Sequence, residues 1–213
     1  MFETQRLLLR EYRLTDESFF IELFNDYDVL LGITTSYVAP SSERTREALK
    51  GLGKILLFMV AESKETGALV GFADINNVSP PQNLDGTIGI AIAKAWWGKG
   101  YGTEIMRWLV SYSFKTLGFR RLSLQVFASN PGAVALYEYV GFKHEGRERE
   151  AIWREGEWVD LIRMGLLARE YYSDNTQAPQ DVPENAPSES HPVSSACTQD
   201  GIASTAALDW VLL

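Results

Sequence analysis

The chain has 213 residues, 46% hydrophobic and 12% aromatic, enough for one substantial core and too apolar for a wholly disordered chain. Its net charge of −8 argues against nonspecific nucleic-acid binding, which needs lysine and arginine to neutralise phosphates. Six of the 28 acidic residues and none of the 20 basic ones lie from Ser173 onward, so the body is close to neutral and the tail carries most of the charge.

In chain order, Arg6–Leu14 reads as a first strand. Thr15 or Asp16 caps a helix to about Asn25, with Phe19, Phe20, Leu23 and Phe24 on its apolar side. An irregular stretch ends at Pro40-Ser41-Ser42, and Ser42 caps a short helix over Glu43–Lys50. Ile55–Glu62 is a continuous apolar run, hence a buried strand. A turn at Ser63–Gly67 and a returning strand at Ala68–Asn76 follow. Val78–Gly86, with Pro80-Pro81, reads as a loop, and Thr87–Ala93 as a fourth strand. A glycine-rich turn then leads into a helix ending before Gly118, with Ile105, Leu109 and Tyr112 on one face. Arg121–Ala128 alternates as a fifth strand. Asn130 caps a helix with Pro131 at its first position, and Gly141 ends it. Phe142–Ile152 and Trp158–Leu167 form two strands around the turn Arg154–Glu157. This order predicts an α+β, mixed-sheet domain over residues 1–170. Residues 171–213 form an acidic Pro/Ser-rich tail expected to be disordered.

Cys197 is the single cysteine, and His144 and His191 are the two histidines. Neither an intrachain disulfide nor a Cys/His zinc site can be assembled from that set, so no metal is expected. The first ten residues lack the apolar segment of a signal peptide, and no apolar run approaches membrane-spanning length. The expectation is a cytoplasmic protein, monomeric or homodimeric, with neither nucleic acid nor membrane as partner.

Two segments carry chemistry. In WWGKGYGT, Gly98, Gly100 and Gly102 alternate with Lys99 and Tyr101 and lead from a strand into a helix start. Glycines permit unusual dihedrals and close approach, and the helix start adds free N–H groups. The turn can cradle a pyrophosphate or be a plain tight connection. It is neither G-x-G-x-x-G, since Thr103 stands last, nor a P-loop. In NPGAVALYEYVGF, Asn130, Ala133 and Tyr137 share one helix face. Their plain roles would be capping and packing.

With RLLLREY at Arg6–Tyr12, IAIAKAWWGKGYGTE at Ile90–Glu104, NPGAVALYEYVGF at Asn130–Phe142 and REGEW at Arg154–Trp158, the chain resembles the GNAT superfamily of N-acetyltransferases. The likeness is to the branch of ribosomal-protein N-terminal and spermidine acetyltransferases. It implies a largely antiparallel mixed sheet, splayed between the fourth and fifth strands, and acetyl-CoA as cosubstrate with an amine acceptor. By the resemblance, the family's pyrophosphate motif falls on Trp97, Gly100 and Gly102, with Trp97 in place of the usual Gln or Arg. The phosphate-binding turn spans Trp97, Gly98, Lys99, Gly100, Tyr101, Gly102 and Thr103. The pantetheine arm pairs with backbone near Ile90, Ala91 and Ile92, and Asn130 and Ala133 flank it. Tyr137 stands at the sulfur.

The implied reaction is direct attack by a neutral amine on the thioester. An N–H near Ile92 serves the oxyanion and Tyr137 acts as general acid. Cys197, in the tail, is a poor nucleophile candidate. Many relatives place a base glutamate where Thr87 stands. Asp74, Asp85, Glu11 or a water chain could substitute, and each carboxylate is expected to be a solvated surface group. Acceptor contacts are expected from Asn25–Ser42 and the closing hairpin, where Trp153 and Trp158 are expected to pack across strands. A near-neutral body leans towards a peptide α-amine or a small weakly basic amine over a polyamine. The alternative is a non-catalytic acyl-CoA-binding module, suggested by the missing carboxylate at Thr87 and opposed by Tyr137.

Overall fold

A computed structural model describes residues 1–76 and 81–175 of the chain. Eight strands form one sheet in the order β1-β2-β3-β4-β5-β6-β8-β7. They are β1 (Phe2–Glu3), β2 (Leu7–Arg10), β3 (Leu57–Ser63), β4 (Leu69–Asn76), β5 (Asp85–Ile92), β6 (Arg121–Phe127), β7 (Lys143–Arg154) and β8 (Glu157–Leu167). Every neighbouring pair is antiparallel except β5 and β6, which run parallel. The expected mixed, largely antiparallel sheet is therefore present.

The helices are α1 (Glu17–Leu23), α2 (Tyr27–Ile33), α3 (Ser42–Lys50), α4 (Tyr101–Lys115), α5 (Pro131–Val140) and α6 (Ala168–Asn175). One sheet face packs on α4 and α5, through Ile105, Met106, Leu109 and Tyr137 against Ile75, Ile88, Leu122 and Met164. The other face packs on α1 and its neighbours, where Phe20 and Phe24 meet Phe72 with ring centroids 5.8 and 5.7 Å apart. Strand alternation sends Phe72 and Asp74 to this second face and Ala73 and Ile75 to the first.

Several local expectations shift. Asp16 makes no side-chain cap to α1. Its carboxylate is buried on the Arg10 guanidinium, at 2.7 Å, and accepts the Arg13 N–H at 2.8 Å. The carboxylate thus satisfies a buried cation, which leaves it no free lone pair aimed at α1. Ser41, one residue before the expected cap, accepts the Arg44 N–H and starts α3. The stretch taken as irregular contains α2, whose first amides, Asp28 and Val29, donate to the Asp26 side chain. Asp26 is a capping residue type ahead of an apolar Val29, Leu30, Ile33 spacing, a local signal that the expectation of an irregular stretch passed over. The expected loop 78–86 gives way to strand at Asp85, and residues 77–80 of it lie outside the described residues.

The hairpin strands reach to Arg154 and from Glu157, leaving Glu155 and Gly156 as a two-residue turn with φ of 48° and 92°. Positive φ at both positions gives the hand of turn that fits twisted strands. After β8, helix α6 meets α4, with half-buried Tyr171 packed against Phe114 and the Tyr172 hydroxyl donating to Phe114 O at 3.2 Å. The first residues of the expected tail, 171–175, are thus helical, and the rest of it from residue 176 onward, with His191 and Cys197, lies outside the described residues.

Candidate active site

The parallel contact of β5 and β6 is short. Asp85, Gly86 and Thr87 pair with Arg121, Leu122 and Ser123, and the register ends there. Beyond Thr87, β5 stays with β4 as far as Ile92, and β6 stays with β8. A cleft of about 850 Å³ opens in the resulting wedge and runs from the α4 N-terminus to α2 and the β7–β8 turn. The Ala93 N–H donates to Val70 O at 2.9 Å, so the alternation of antiparallel bonding turns Ala91 towards β4 as well. The N–H and C=O of Ile90 and Ile92 point the other way, into the wedge. Ala91 lines the cleft, but its backbone polar groups belong to the β4 ladder.

At one end of the cleft the turn after β5 is fixed from both sides. The Trp97 indole N–H donates to Ile92 O at 2.6 Å. Gly98 and Gly100 hold φ of 71° and 80°, a region costly for residues with a Cβ. The first intrahelical bond of α4 runs from the Glu104 N–H to Gly100 O. The amides of Tyr101, Gly102 and Thr103 thus precede the helix ladder, and no side chain caps them. Their free N–H groups and the positive end of the helix dipole favour an anion at this end of the cleft. A Cβ on Gly102 would stand 2.9 Å from Leu136 Cδ1, so glycine here lets α4 and α5 approach closely.

Arg6 braces the turn from β2's side. Its guanidinium donates to Lys99 O at 3.0 Å and to Glu104 Oε2 at 2.7 Å, and it lies 4.2 Å from the centre of the Tyr101 ring. Burial alone would raise the Glu104 pKa. Hydrogen bonds from the Thr4 hydroxyl and from the Arg6 N–H and guanidinium outweigh it and hold the carboxyl below its usual value. Nothing in the sequence pattern announced this brace, because residues 6 and 104 meet only through the fold.

On α5, Asn130 caps its own helix, accepting the Ala133 N–H at 3.0 Å. Asn130, Ala133 and Tyr137 line the cleft together, as the i, i+3, i+7 spacing required, and Leu136 joins them. Tyr137 is 9% exposed, and burial pushes its phenol up to about 12. It therefore stays protonated throughout the neutral range.

Of the thirteen residues expected at the site, twelve line this cleft. Lys99 does not; its ammonium turns back to Ala95 O at 2.8 Å and lies over the Trp96 ring. Trp153 and Trp158 also lie off the cleft. They oppose each other across β7 and β8 with ring centroids 5.3 Å apart, the expected cross-strand packing. The end of the cleft away from α4 is bounded by Asp28, Gly32 and Ile33 of α2, by Gln125 of β6 and by Arg154, Glu155 and Glu157 of the hairpin. The Arg154 guanidinium donates to Ser36 O at 3.1 Å and to Thr34 O, tying the hairpin tip to the segment after α2. The Tyr27 hydroxyl adds a 3.2 Å bond to Glu155.

Of the base candidates, Glu11 is exposed. Asp85 is partly buried beside Arg121, at 3.8 Å, in the closed part of the β5–β6 contact. The expectation of a solvated carboxylate fails at Asp74, which is 1% exposed. Its strand position points it inward under α2, and burial pushes its pKa well above the usual carboxylate value. Among the described residues no group of three or more His, Cys, Asp or Glu side chains is placed to hold a metal ion, and no helix is long and apolar enough to cross a membrane.

The family description "Acetyltransferase (GNAT) domain" matches residues 6–143, which span the turn, the wedge and α5. The chain belongs to the GNAT family of acetyl-CoA-dependent N-acetyltransferases. It is 26% identical over 173 residues to an uncharacterized N-acetyltransferase, p20, of Bacillus licheniformis, covering 79% of this chain and 96% of that one. It is 31% identical over 134 residues to a putative ribosomal N-acetyltransferase, YdaF, of Bacillus subtilis, covering 63% and 69%. In three dimensions it is similar to the spermidine N-acetyltransferase of Vibrio cholerae, crystallised with CoA and spermine. The TM-score is 0.70 at 26% identity, covering 78% of this chain and 98% of that one. In this GNAT chain, the open wedge and the α4 start without a side-chain cap lie along one cleft.

Proposed function

We propose that the protein transfers the acetyl group of acetyl-CoA to a primary amine by direct attack, with Tyr137 as general acid. The observation that carries this reading is one continuous cleft bounded by the free amides of Tyr101–Thr103 at one end and the Tyr137 phenol further along. The diphosphate is held by those amides. The pantetheine arm takes the place of the missing neighbour strand, bonding to the outward N–H and C=O groups of Ile90 and the outward N–H of Ile92; Ile92 O is already occupied by Trp97. Asn130 and Ala133 flank the arm, and the thioester lies beside Tyr137. An N–H aimed at the thioester oxygen stabilises the tetrahedral oxyanion, an effect worth roughly 3 kcal/mol. As the carbon–nitrogen bond forms and the carbon–sulfur bond breaks, the phenol donates its proton to the leaving sulfur.

The acceptor enters from the opposite end, between α2 and the hairpin turn. Asp28, Glu155 and Glu157 contribute three carboxylates to that end, against Arg154 in its lining and Lys94, which pairs with Asp28. The near-neutral body had favoured a weakly basic amine; this local excess of acid supports a positively charged amine instead. The name of the Vibrio cholerae relative, a spermidine N(1)-acetyltransferase with 28% identity over 153 residues, agrees with that choice.

The test is thiol release from acetyl-CoA by the full chain with spermidine, a peptide bearing a free α-amine and an aryl amine. Acceptor-dependent release with the charged amine best is expected. Tight CoA binding with no release from any acceptor would favour the non-catalytic module.

A further inference from the structure

The reaction needs a neutral amine, and the position where relatives were expected to carry a base holds Thr87. Beside the cleft, on the neighbouring strand β4, stands a buried carboxylate, Asp74. It projects from β4 opposite Gly89 of β5, on the face covered by α2. A Cβ at position 89 would stand 2.3 Å from Asp74 Oδ1, so the absence of a side chain there lets the carboxyl lean across β5 towards the wedge. Oδ2 accepts a hydrogen bond from Asn76 Nδ2 at 2.6 Å. Oδ1 is buried with no hydrogen-bond partner.

Asp74 lines a small pocket of about 40 Å³, enclosed by Gly89, Gln125 and Tyr137 among others. Gly32, Ile33, Ile90, Gln125 and Tyr137 border this pocket and the main cleft alike, so the two adjoin at Tyr137. A water needs roughly 10–15 Å³ of such volume and two or more polar partners. Asp74, Gln125 and the Tyr137 hydroxyl supply them. Among the described lining residues Tyr137 is the other titratable group, and the rest, Gln125 apart, are glycine or apolar. On the remaining sides, Phe58 of β3 is the register partner of Asp74, and Phe72 lies next on the same face. No charged side chain from these elements lines the pocket.

We propose that Asp74 is the proton acceptor of the reaction, relaying through water in this pocket; the inference rests on the acetyltransferase reading above. The acceptor ammonium gives one proton through water to the Asp74 carboxylate and becomes a neutral amine. Its lone pair forms the bond to the thioester carbon, and the carbon–sulfur bond then breaks. The second proton, on the new carbon–nitrogen bond, restores the Tyr137 phenol after that phenol has protonated the sulfur. Amide and free thiol result, and the Asp74 carboxylic acid returns its proton to solvent. A buried carboxylate whose pKa is raised by desolvation is a better base than a surface one, and its desolvation is a stability cost for which the fold offers no ion pair.

The test compares wild type and Asp74→Asn by pH–rate profile and thermal melting, using the full chain and the best acceptor of the panel. Asn keeps an oxygen for Asn76 and removes the charge. The expected result is a kcat lower by about 100-fold or more at pH 7, with KM for acetyl-CoA unchanged. Activity should recover towards high pH, where bulk solvent deprotonates the amine, and the melting temperature should rise. A folded variant within threefold of wild-type kcat, with the same acid limb, overturns the inference alone. Losing activity and melting temperature together also overturns it, because that marks a structural carboxylate. If the variant does not fold, wild type is profiled with two acceptors of different amine pKa. An acid limb fixed in place, above the ordinary carboxylate range, is the expected outcome, and a limb that moves with the amine overturns the proposal. Absence of turnover by wild type on every acceptor removes the acetyltransferase reading itself.

Discussion

Replacing Tyr137 by Phe separates chemistry from binding and from folding. The ring stays, so its packing against Phe142, at 6.2 Å between centroids, is retained. The phenol has no hydrogen-bond partner among the described residues, so its removal orphans no protein group, and folding stability should change by less than about 0.5 kcal/mol. The diphosphate end of the cleft is untouched, and CoA affinity should stay within about twofold. Catalysis loses its proton donor. General acid catalysis is worth about 10²–10⁴-fold, so kcat should fall by that factor, equivalent to about 2.7–5.4 kcal/mol. The assay is thiol release under single-turnover conditions, with CoA affinity from calorimetry on the same preparation. Unchanged single-turnover rate in a folded, CoA-competent variant would refute the assignment. The pH dependence is a second check. With the phenol at about 12, above its unfolded value near 10, its contribution to stability is complete below pH 10. It is lost as pH rises towards 12, and no alkaline limb from Tyr137 should appear in activity below about pH 10.

Gly100→Ala forces an alanine to φ of 80°; the expected cost is about 1–2 kcal/mol, read by thermal melting, with CoA binding weakened by displacement of the α4 amides. Arg6→Ala removes the bonds to Glu104 and Lys99 O. A loss of about 1 kcal/mol, or about 2–4 °C in Tm, is expected. Glu104 has a depressed pKa, so its stabilisation is present above the unfolded value and fades as pH falls through the folded one; the gap between variant and wild type should shrink in acid. Arg154→Ala frees the carbonyls of Thr34 and Ser36 and should raise KM for the amine several-fold with CoA affinity unchanged, measured by initial rates against both substrates.

The two chemistry-bearing segments were readable because their determinants are local. A glycine can adopt φ of 71° or 80° wherever it stands, Asn130-Pro131 starts a helix by its own hydrogen bonding, and i, i+3, i+7 spacing places Tyr137 on the face of Asn130. Long apolar runs and alternating stretches likewise announced the sheet and α4. Helix α2 was passed over despite its Asp26 cap and its Val29, Leu30, Ile33 spacing, because it sits in a stretch whose other residues show no regular pattern, whereas the cross-strand pairing of Trp153 and Trp158 was legible from the short turn between them.

Sequence by itself determined most of the strands and helices, the place of the glycine-rich turn and the α5 face that carries Tyr137, since each depends on neighbours a few residues away. Tertiary structure alone decided that β5 and β6 part after Thr87, that Arg6 reaches Glu104, and that Asp74 is buried on a cavity shared with Tyr137. Those features arise from groups tens of residues apart, and a carboxylate's burial is set by what packs over it, which no local pattern encodes.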